Sequence, residues 1–299
     1  MGRGIILFGA GASCGSDTCD TPPLMGGLFD ELCRYDPANW GAVPDAQALD
    51  FRNDFEAAMW RLLQADAPGA DVLQRAMASY FFQFRPRPRS LYANLAGRIR
   101  NGGWDGALVT LNYERLLELA VRSAGTNLVV NPPQIASGEV ELCLPHGCCH
   151  LFGQMQVVGN ISIGGGIAFD SPGIRAVDDP GGYGQRIQSD RLPPVMSYIE
   201  PDKRNRTGVS FIKGQRKRFE ALTSSASLIA IIGVSVRPRD AHIWDPLAQT
   251  PAKMIYCGGR CGAKEYTNWS KECRADRGDM VLQGYFQDEL ETICRELGL

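Results

Sequence analysis

The chain contains three histidines, His146, His150 and His242, and two of them fall within the five residues of "HGCCH". Imidazole titrates near neutrality, so a histidine beside a reacting group can exchange a proton at physiological pH. His146 ends the apolar run "VELCLPHG" next to Gly147 and is the stronger candidate base. His150 is read as lying past the turn, and His242 follows a later apolar run. A carboxamide, Asn112, stands in "TLNYERLLE", between Thr110 and Glu114. It both donates and accepts hydrogen bonds, which suits it to orienting a polar ligand or a water. Asparagine is also among the best helix N-caps, so capping "YERLLELAVRS" is the competing assignment.

Two glycine-bearing turns accompany these groups. The first is Gly9, Ala10, Gly11, Ala12 and Ser13, after the apolar run "GIILF". Small residues let the backbone approach a pyrophosphate, and amides at a helix start attract its charge. The dinucleotide fingerprint Gly-x-Gly-x-x-Gly is not matched, because the third glycine falls one place late. There is no Gly-Lys-Ser/Thr either, and a plain strand-to-helix turn is the alternative. The second is "IIGVSVRPRDAHIWDPL". Gly233 and Ser235 suit closure round a ribose or an adenine, and Asp240 with His242 opens a short helix. Helix capping competes for Asp240.

The ten cysteines do not make a zinc ribbon. A ribbon needs two Cys-x2-Cys pairs, and the nearest spacings, Cys14/Cys19, Cys148/Cys149 and Cys257/Cys261, do not provide them. No metal is therefore expected. Most thiols are read as small packing residues, Cys14 and Cys19 included. A reducing compartment fits this usage, and the expected location is cytoplasmic. The N-terminus lacks the three regions of a secretory signal, and no apolar run approaches the ~20 residues that span a bilayer.

Composition narrows the class further. The 299 residues are 44% hydrophobic and 21% charged, with a net charge of -2. That is the profile of a globular protein with no global basic field for nucleic acid. The local stretch "KGQRKR" is read as a solvated helix face, and nucleic acid is expected only as an indirect partner.

These groups must be held by secondary structure. Strands are read at "GIILF", "ALVT", "VELCL", "SLIAIIGVSV" and "AKMIYCG". Helical periodicity is read in "DFRNDFEAAMWRLLQ", with Phe51, Phe55, Met59, Leu62 and Leu63 on one side, and in "DVLQRAMASYFFQF", "SLYANLAGRIRNGG", "KGQRKRFEALTSSA" and "YFQDELETICREL". Residues 151–210 are rich in Gly and Pro and read as short strands and loops. Apolar strands alternating with helices predict a Rossmann-like, doubly wound parallel α/β sheet covered on both faces. The expected organisation is one domain over 1–299, with a helical insertion near 40–105 and a loop-rich one near 151–210. Such sheets bind ligands beyond the carboxyl ends of their strands, where Gly9–Ser13, Asn112, His146 and Gly233 are expected.

In this order, the motifs resemble the sirtuin-like family: Gly-Ala-Gly-Ala-Ser at 9–13, Thr-x-Asn-x-acidic at 110–114, His-Gly at 146–147 and the late Gly-x-Ser segment followed by Asp240 and His242. The chain lacks two features of the deacylase members, Gly-Ile-Pro-Asp-Phe-Arg after the glycine turn and the four-cysteine ribbon after His-Gly. It is more similar to the bacterial sirtuin-like effectors of antiphage defence, which hydrolyse NAD to nicotinamide and ADP-ribose. The resemblance implies NAD as substrate and a catalytic pair, Asn112 orienting water and ribose hydroxyls and His146 accepting a proton. It places the pyrophosphate on amides near Ala10, Gly11 and Ala12, with Ser13 nearby and Thr110 and Glu114 supporting the loop. It further implies control by a homo-oligomer or by a regulatory partner such as a hexameric ATPase. An NAD-dependent deacylase and a non-catalytic NAD- or ADP-ribose-binding subunit are the alternatives.

Overall fold

The short apolar runs become strands. In the computed structural model, which describes residues 3–65, 69–132, 134–154, 173–190, 192–197, 207–275 and 277–299, they are β1 (Arg3–Phe8), β2 (Ala107–Thr110), β3 (Asn127–Val130), β4 (Glu139–Cys143), β5 (Leu151–Gln154), β6 (Gly173–Ala176), β7 (Ala226–Ile232), β8 (Lys253–Cys257) and β9 (Met280–Leu282). Seven of them form one sheet in the order β3-β4-β2-β1-β7-β8-β9. Every pairing in it is parallel. The doubly wound α/β class expected from the sequence is therefore the class observed. Residues Ile5–Phe8, Ala107–Thr110 and Ile229–Ile232 are all buried, which is why these strands are apolar throughout rather than alternating.

Successive side chains on β1 serve opposite faces. Ile5 and Leu7 join the cluster of Phe219, Leu222, Ile243, Trp244, Leu247, Tyr266 and Trp269. These come from helices Val209–Ser225, Ala241–Gln249 and Gly259–Cys273. Phe8 meets Tyr92 and Phe286 edge-on, at 5.5 and 6.2 Å between ring centres, from helices Leu91–Gly102 and Phe286–Leu297.

The winding reverses at β1, with β2 on one side and β7 on the other. Register aligns Phe8 with Thr110 and with Ile232, and Ile232 with Cys257. Gly9, Leu111 and Gly233 therefore leave the sheet at one level of its carboxyl edge. This is the ligand-binding position of open α/β sheets.

The chain divides into two compact units: Met1–Pro22, Phe84–Pro145 and Gln215–Leu299, which hold the sheet, and Pro23–Gln83 with His146–Gly214. The sequence reading gave one domain with two insertions. In the structure residues from both insertions gather in the second unit, while helix Leu91–Gly102 belongs to the first. The core of the second unit is aromatic. Phe29 stacks on Phe51 at 5.4 Å, and Trp40 packs on Phe51 and Phe55 at 5.1 and 5.6 Å. β5 and β6 pair antiparallel within this unit.

Three local expectations change. The single helical run "DFRNDFEAAMWRLLQ" is two helices, Asp45–Asn53 and Phe55–Gln64. Asp54 is extended between them, and its side chain accepts from the Ala57 amide at 3.2 Å, an N-cap inside the periodic pattern. Phe51, Phe55 and Met59 are buried; Leu62 and Leu63 are only half-buried. Within 151–210, residues Pro180–Ser189 form a helix where loops were expected. Its signal is Asp179 capping the Gly182 amide, with Pro180 at the first position. Nearly half of the Gly/Pro-rich stretch, including 155–172 and 198–206, lies outside the described residues. Helix Gly259–Cys273 and strand β9 complete the sheet edge and were not read from the sequence at all.

Candidate functional site

The glycine turn owes its composition first to packing. The Gly9 amide donates to Ile232 O at 2.9 Å and the Gly11 amide to Gly233 O at 3.0 Å. Two backbones thus lie directly against each other. A Cβ on Gly9 would meet Gly233 O at 2.5 Å, and one on Gly233 would meet Ala12 N at 2.0 Å. Gly233 also holds a left-handed φ of +65°, which favours glycine. The Ala12 amide donates to Gly9 O at 3.0 Å. The Gly11 and Ala12 amides, expected near the pyrophosphate, thus both donate within the fold.

Next to the turn lies a buried network. The Ser13 hydroxyl donates to Glu114 Oε1 at 2.6 Å, and it lies 2.8 Å from the Tyr92 hydroxyl and 2.9 Å from Asn112 Nδ2. A serine hydroxyl has one proton and two lone pairs. Its proton goes to the carboxylate, so Tyr92 and Asn112 must both donate to it. Burial, reinforced by the Glu114 charge, pushes the Tyr92 phenol well above its ordinary value, which keeps it a donor. Asn112 Nδ2 makes a second bond, to Gly9 O at 3.1 Å. A carbonyl can only accept, so the orientation of the amide is decided: nitrogen faces the glycine turn and Oδ1 faces away. Both amide hydrogens are spent, and the side chain offers a ligand only its acceptor.

Asn112 does not cap the following helix. That helix is Leu116–Ser123 with Arg115 at its N-cap position, three residues beyond Asn112. Glu114 takes the capping work instead, its Oε2 accepting from the Leu116 amide. The Asn112 backbone amide donates to Thr110 Oγ1 at 3.1 Å. Ser13, Thr110, Asn112 and Glu114 are 1, 5, 7 and 5% exposed, so the network is buried.

The segment after β7 contributes a second group. Tyr256 donates to Val234 O at 2.7 Å. Ser235 is exposed. Asp240 is buried at the start of helix Ala241–Gln249, yet its side chain makes no capping bond. Arg216 is the residue that sequence reasoning missed here. It lies in "KGQRKR", expected to be a solvated face. Burial lowers its pKa, and the charges of Tyr113 and Asp240 act in the opposite sense. Arg218, from the same stretch, binds the fully buried Glu141 through two hydrogen bonds. The basic run is thus partly interior, which a count of charges could not reveal.

His146 opens the second segment of the second unit, and it is buried. The following residue, Gly147, takes φ +76°, pairs with Met196, and leaves 2.0 Å between a built Cβ and Val195 O. The His146 carbonyl accepts from Ser197 N at 2.9 Å. His150 lies beyond the turn, its Nδ1 3.1 Å from Cys148 Sγ. His242 is half-buried on helix Ala241–Gln249. In the first unit, then, the structure brings Gly9, Ser13, Thr110, Asn112, Glu114 and Gly233 to one sheet edge. Cys19, expected as a packing residue, is exposed. The four-cysteine set of a zinc ribbon does not form among the described residues.

No family model and no curated protein matches the chain. Among solved structures it is similar to three mutants of a Sir2 homologue, each in complex with ADP-ribose. Each gives a TM-score of 0.50 at 15, 17 and 15% identity, covering 99% of this chain and 92% of the other. The likeness establishes a sirtuin-like α/β fold over nearly the whole chain. No helix is long and apolar enough to cross a membrane among the described residues.

Proposed function

We propose that the chain is an NAD+ glycohydrolase. Water attacks C1′ of the nicotinamide ribose, the C1′–N bond breaks with its electron pair leaving on nicotinamide, and ADP-ribose and a proton are released. Glycosidic cleavage passes through an oxocarbenium-like state, and nicotinamide departs neutral, so a strong acid is unnecessary. The task is to hold the ribose and place a water.

The observation that carries this reading is the locked Asn112 carboxamide. Its donors are tied to Gly9 O and Ser13 Oγ, so at the carboxyl edge of the sheet it presents an acceptor of fixed direction. An acceptor is what orients a water or a ribose hydroxyl toward reaction. The reading gives His146 the proton-accepting role. It gives Gly9–Ala12 the close approach of the phosphates, through small residues rather than through the Gly11 and Ala12 amides. Gly233, Ser235 and Asp240 are assigned the ribose and adenine side. Further support is the sirtuin-like fold, whose solved neighbours hold ADP-ribose.

The absent deacylase motifs favour hydrolysis over deacylation. The biological setting that fits an enzyme consuming NAD without a peptide is an effector of bacterial antiphage defence, held in check by self-assembly or by a regulatory protein such as a hexameric ATPase.

The test is incubation of the purified chain with NAD alone, with and without candidate partners, and quantification of products. Nicotinamide and ADP-ribose in equal amounts without any acyl peptide are expected. His146→Ala is expected to slow release by ~10²-fold or more, as loss of a general base does. Release that requires an acyl-lysine peptide would make the chain a deacylase. NAD binding without release under every condition would make it a binding subunit.

A further inference from the structure

We infer that Cys148, Cys149 and His150 form a binding site for one divalent soft-metal ion, zinc first. The three residues are consecutive, and all are buried. They occupy a turn closed by the Leu151 amide donating to Cys148 O at 3.2 Å. Their donor atoms, two sulfurs and an imidazole nitrogen, all lie within 4.8 Å of one another. Donors sharing a tetrahedral zinc are separated by about 3.5 Å, given Zn–S of about 2.3 Å and Zn–N of about 2.0 Å. The cluster needs only side-chain adjustment to meet that geometry.

The direction of the imidazole is the second observation. Nδ1 faces Cys148 Sγ at 3.1 Å, while Nε2 faces the Asp178 carboxylate at 4.0 Å. A metal-bound histidine characteristically directs its other ring nitrogen to a carboxylate, which fixes the tautomer and raises the basicity of the ligating nitrogen. Here Nδ1 is the ligand and Nε2–H is the hydrogen turned to Asp178. Tyr183 packs nearby, stacked on Phe82 at 3.6 Å between ring centres.

Charge selects the ion. On binding, the two thiols lose their protons to solvent. Two thiolates, a neutral imidazole and a divalent cation sum to zero, so the loaded site buries no net charge, whereas an isolated buried thiolate would be costly. Sulfur and imidazole ligands suit zinc and exclude magnesium and calcium. The site clips the 148–151 turn within its unit, where His150 O accepts from Val177 N at 3.0 Å and Leu151 O from Val195 N at 2.7 Å. Consecutive donors escape any search for Cys-x2-Cys spacing.

The test uses the full chain, purified under reducing conditions. Metal analysis is expected to find about one zinc per chain. After chelation, Co2+ alone is expected to give a thiolate-to-cobalt charge-transfer band. Cys148→Ser and Cys149→Ser should each remove the band or weaken zinc binding by 100-fold or more, and Cys261→Ser, an exposed thiol elsewhere, should not. Asp178→Asn, at a half-exposed position that folding tolerates, should weaken zinc binding by ~10- to 100-fold. In the unmutated chain, zinc should shield Cys148 and Cys149 from alkylation as mapped by mass spectrometry. No cobalt–thiolate band in the reduced chain, a band unchanged in Cys148→Ser, or alkylation indifferent to zinc would each overturn the site. Should the serine variants fail to fold, the Asp178→Asn affinity and the alkylation map decide the matter.

Discussion

The two ends of the same sheet hold a buried glutamate in different ways. At the carboxyl end, Glu114 accepts from the Ser13 hydroxyl and the Leu116 amide, and through Ser13 it steers Tyr92 and Asn112. At the amino end, Glu141, opposite Ala107 in register, binds two guanidinium groups, Arg3 from β1 and Arg218 from helix Val209–Ser225. Burial alone would raise the Glu141 pKa. The hydrogen bonds from Arg218 and Arg3 outweigh it and hold the carboxyl below its usual range. One arrangement aims an acceptor, and the other fastens strands to a helix. The difference teaches that burial of a carboxylate is not by itself a mark of function. What distinguishes the carboxyl end is a chain of hydrogen bonds that terminates in a group able to meet a ligand.

Four substitutions would break or sharpen that contrast. The largest effect is expected for Asn112→Ala. Nicotinamide release should fall by ~10²–10³-fold, the usual loss on removing one positioning group, while circular dichroism reports an intact fold. Glu141→Gln should do the reverse. It strands two arginines and should lower stability by about 3 kcal/mol, the range for breaking a buried pair, with turnover at 25 °C unchanged. Its pH dependence has a definite sign. A carboxyl with a lowered folded pKa stabilises at neutral pH, and that contribution disappears as pH falls through the folded value. The stability gap between Glu141→Gln and the parent, read from urea midpoints, should therefore narrow below pH 4.5, the ordinary value of the group. A gap constant down to acid pH would show that the ion cluster is not its source.

Ser13→Ala should come next. It orphans a buried carboxylate oxygen and one Asn112 hydrogen, at about 2 kcal/mol. Because Asn112 loses one of its two ties, turnover should drop by about tenfold. Tyr92→Phe should be the mildest. The ring keeps its packing against Phe8 and Phe286, at 5.5 and 5.9 Å, and one donor to Ser13 is lost, at about 1 kcal/mol. Turnover should fall less than for Ser13→Ala. If Tyr92→Phe exceeded Ser13→Ala in either measurement, the order of donation inferred at Ser13 would be wrong.

Much of the architecture was legible because parallel strands buried on both faces must be apolar, and the runs at 4–8, 107–110 and 226–232 admit little else. Gly103, left-handed at the C-cap of helix Leu91–Gly102, ends that helix for an equally local reason. Asn112 and Ser13 were also legible as residues, since they stand two and five positions beyond such runs. Their partners were not. Ser13 meets Tyr92 and Glu114 from 79 and 101 residues away, and no local pattern encodes that meeting. The same limit hid Asp54 as a cap within a periodic stretch, and Arg216 and Arg218 as half-buried groups within a basic one.

The sequence by itself determined the central strands of the sheet, the level at which they end, and the residue types at that edge, because hydrophobic periodicity and turn chemistry act over a few residues. Only the tertiary structure decided what those residues are free to do. The Gly11 and Ala12 amides were expected to bind phosphate, yet the close approach of Gly233 and the turn itself consume them. Asn112 was expected to donate or accept, yet Gly9 O and Ser13 Oγ leave it an acceptor. Most thiols were expected to pack and His150 to lie past the turn, yet one turn gathers the donor atoms of Cys148, Cys149 and His150. A hydrogen bond is exclusive, so the function of a polar group is fixed by the partners it has already taken, and long-range packing chooses those partners.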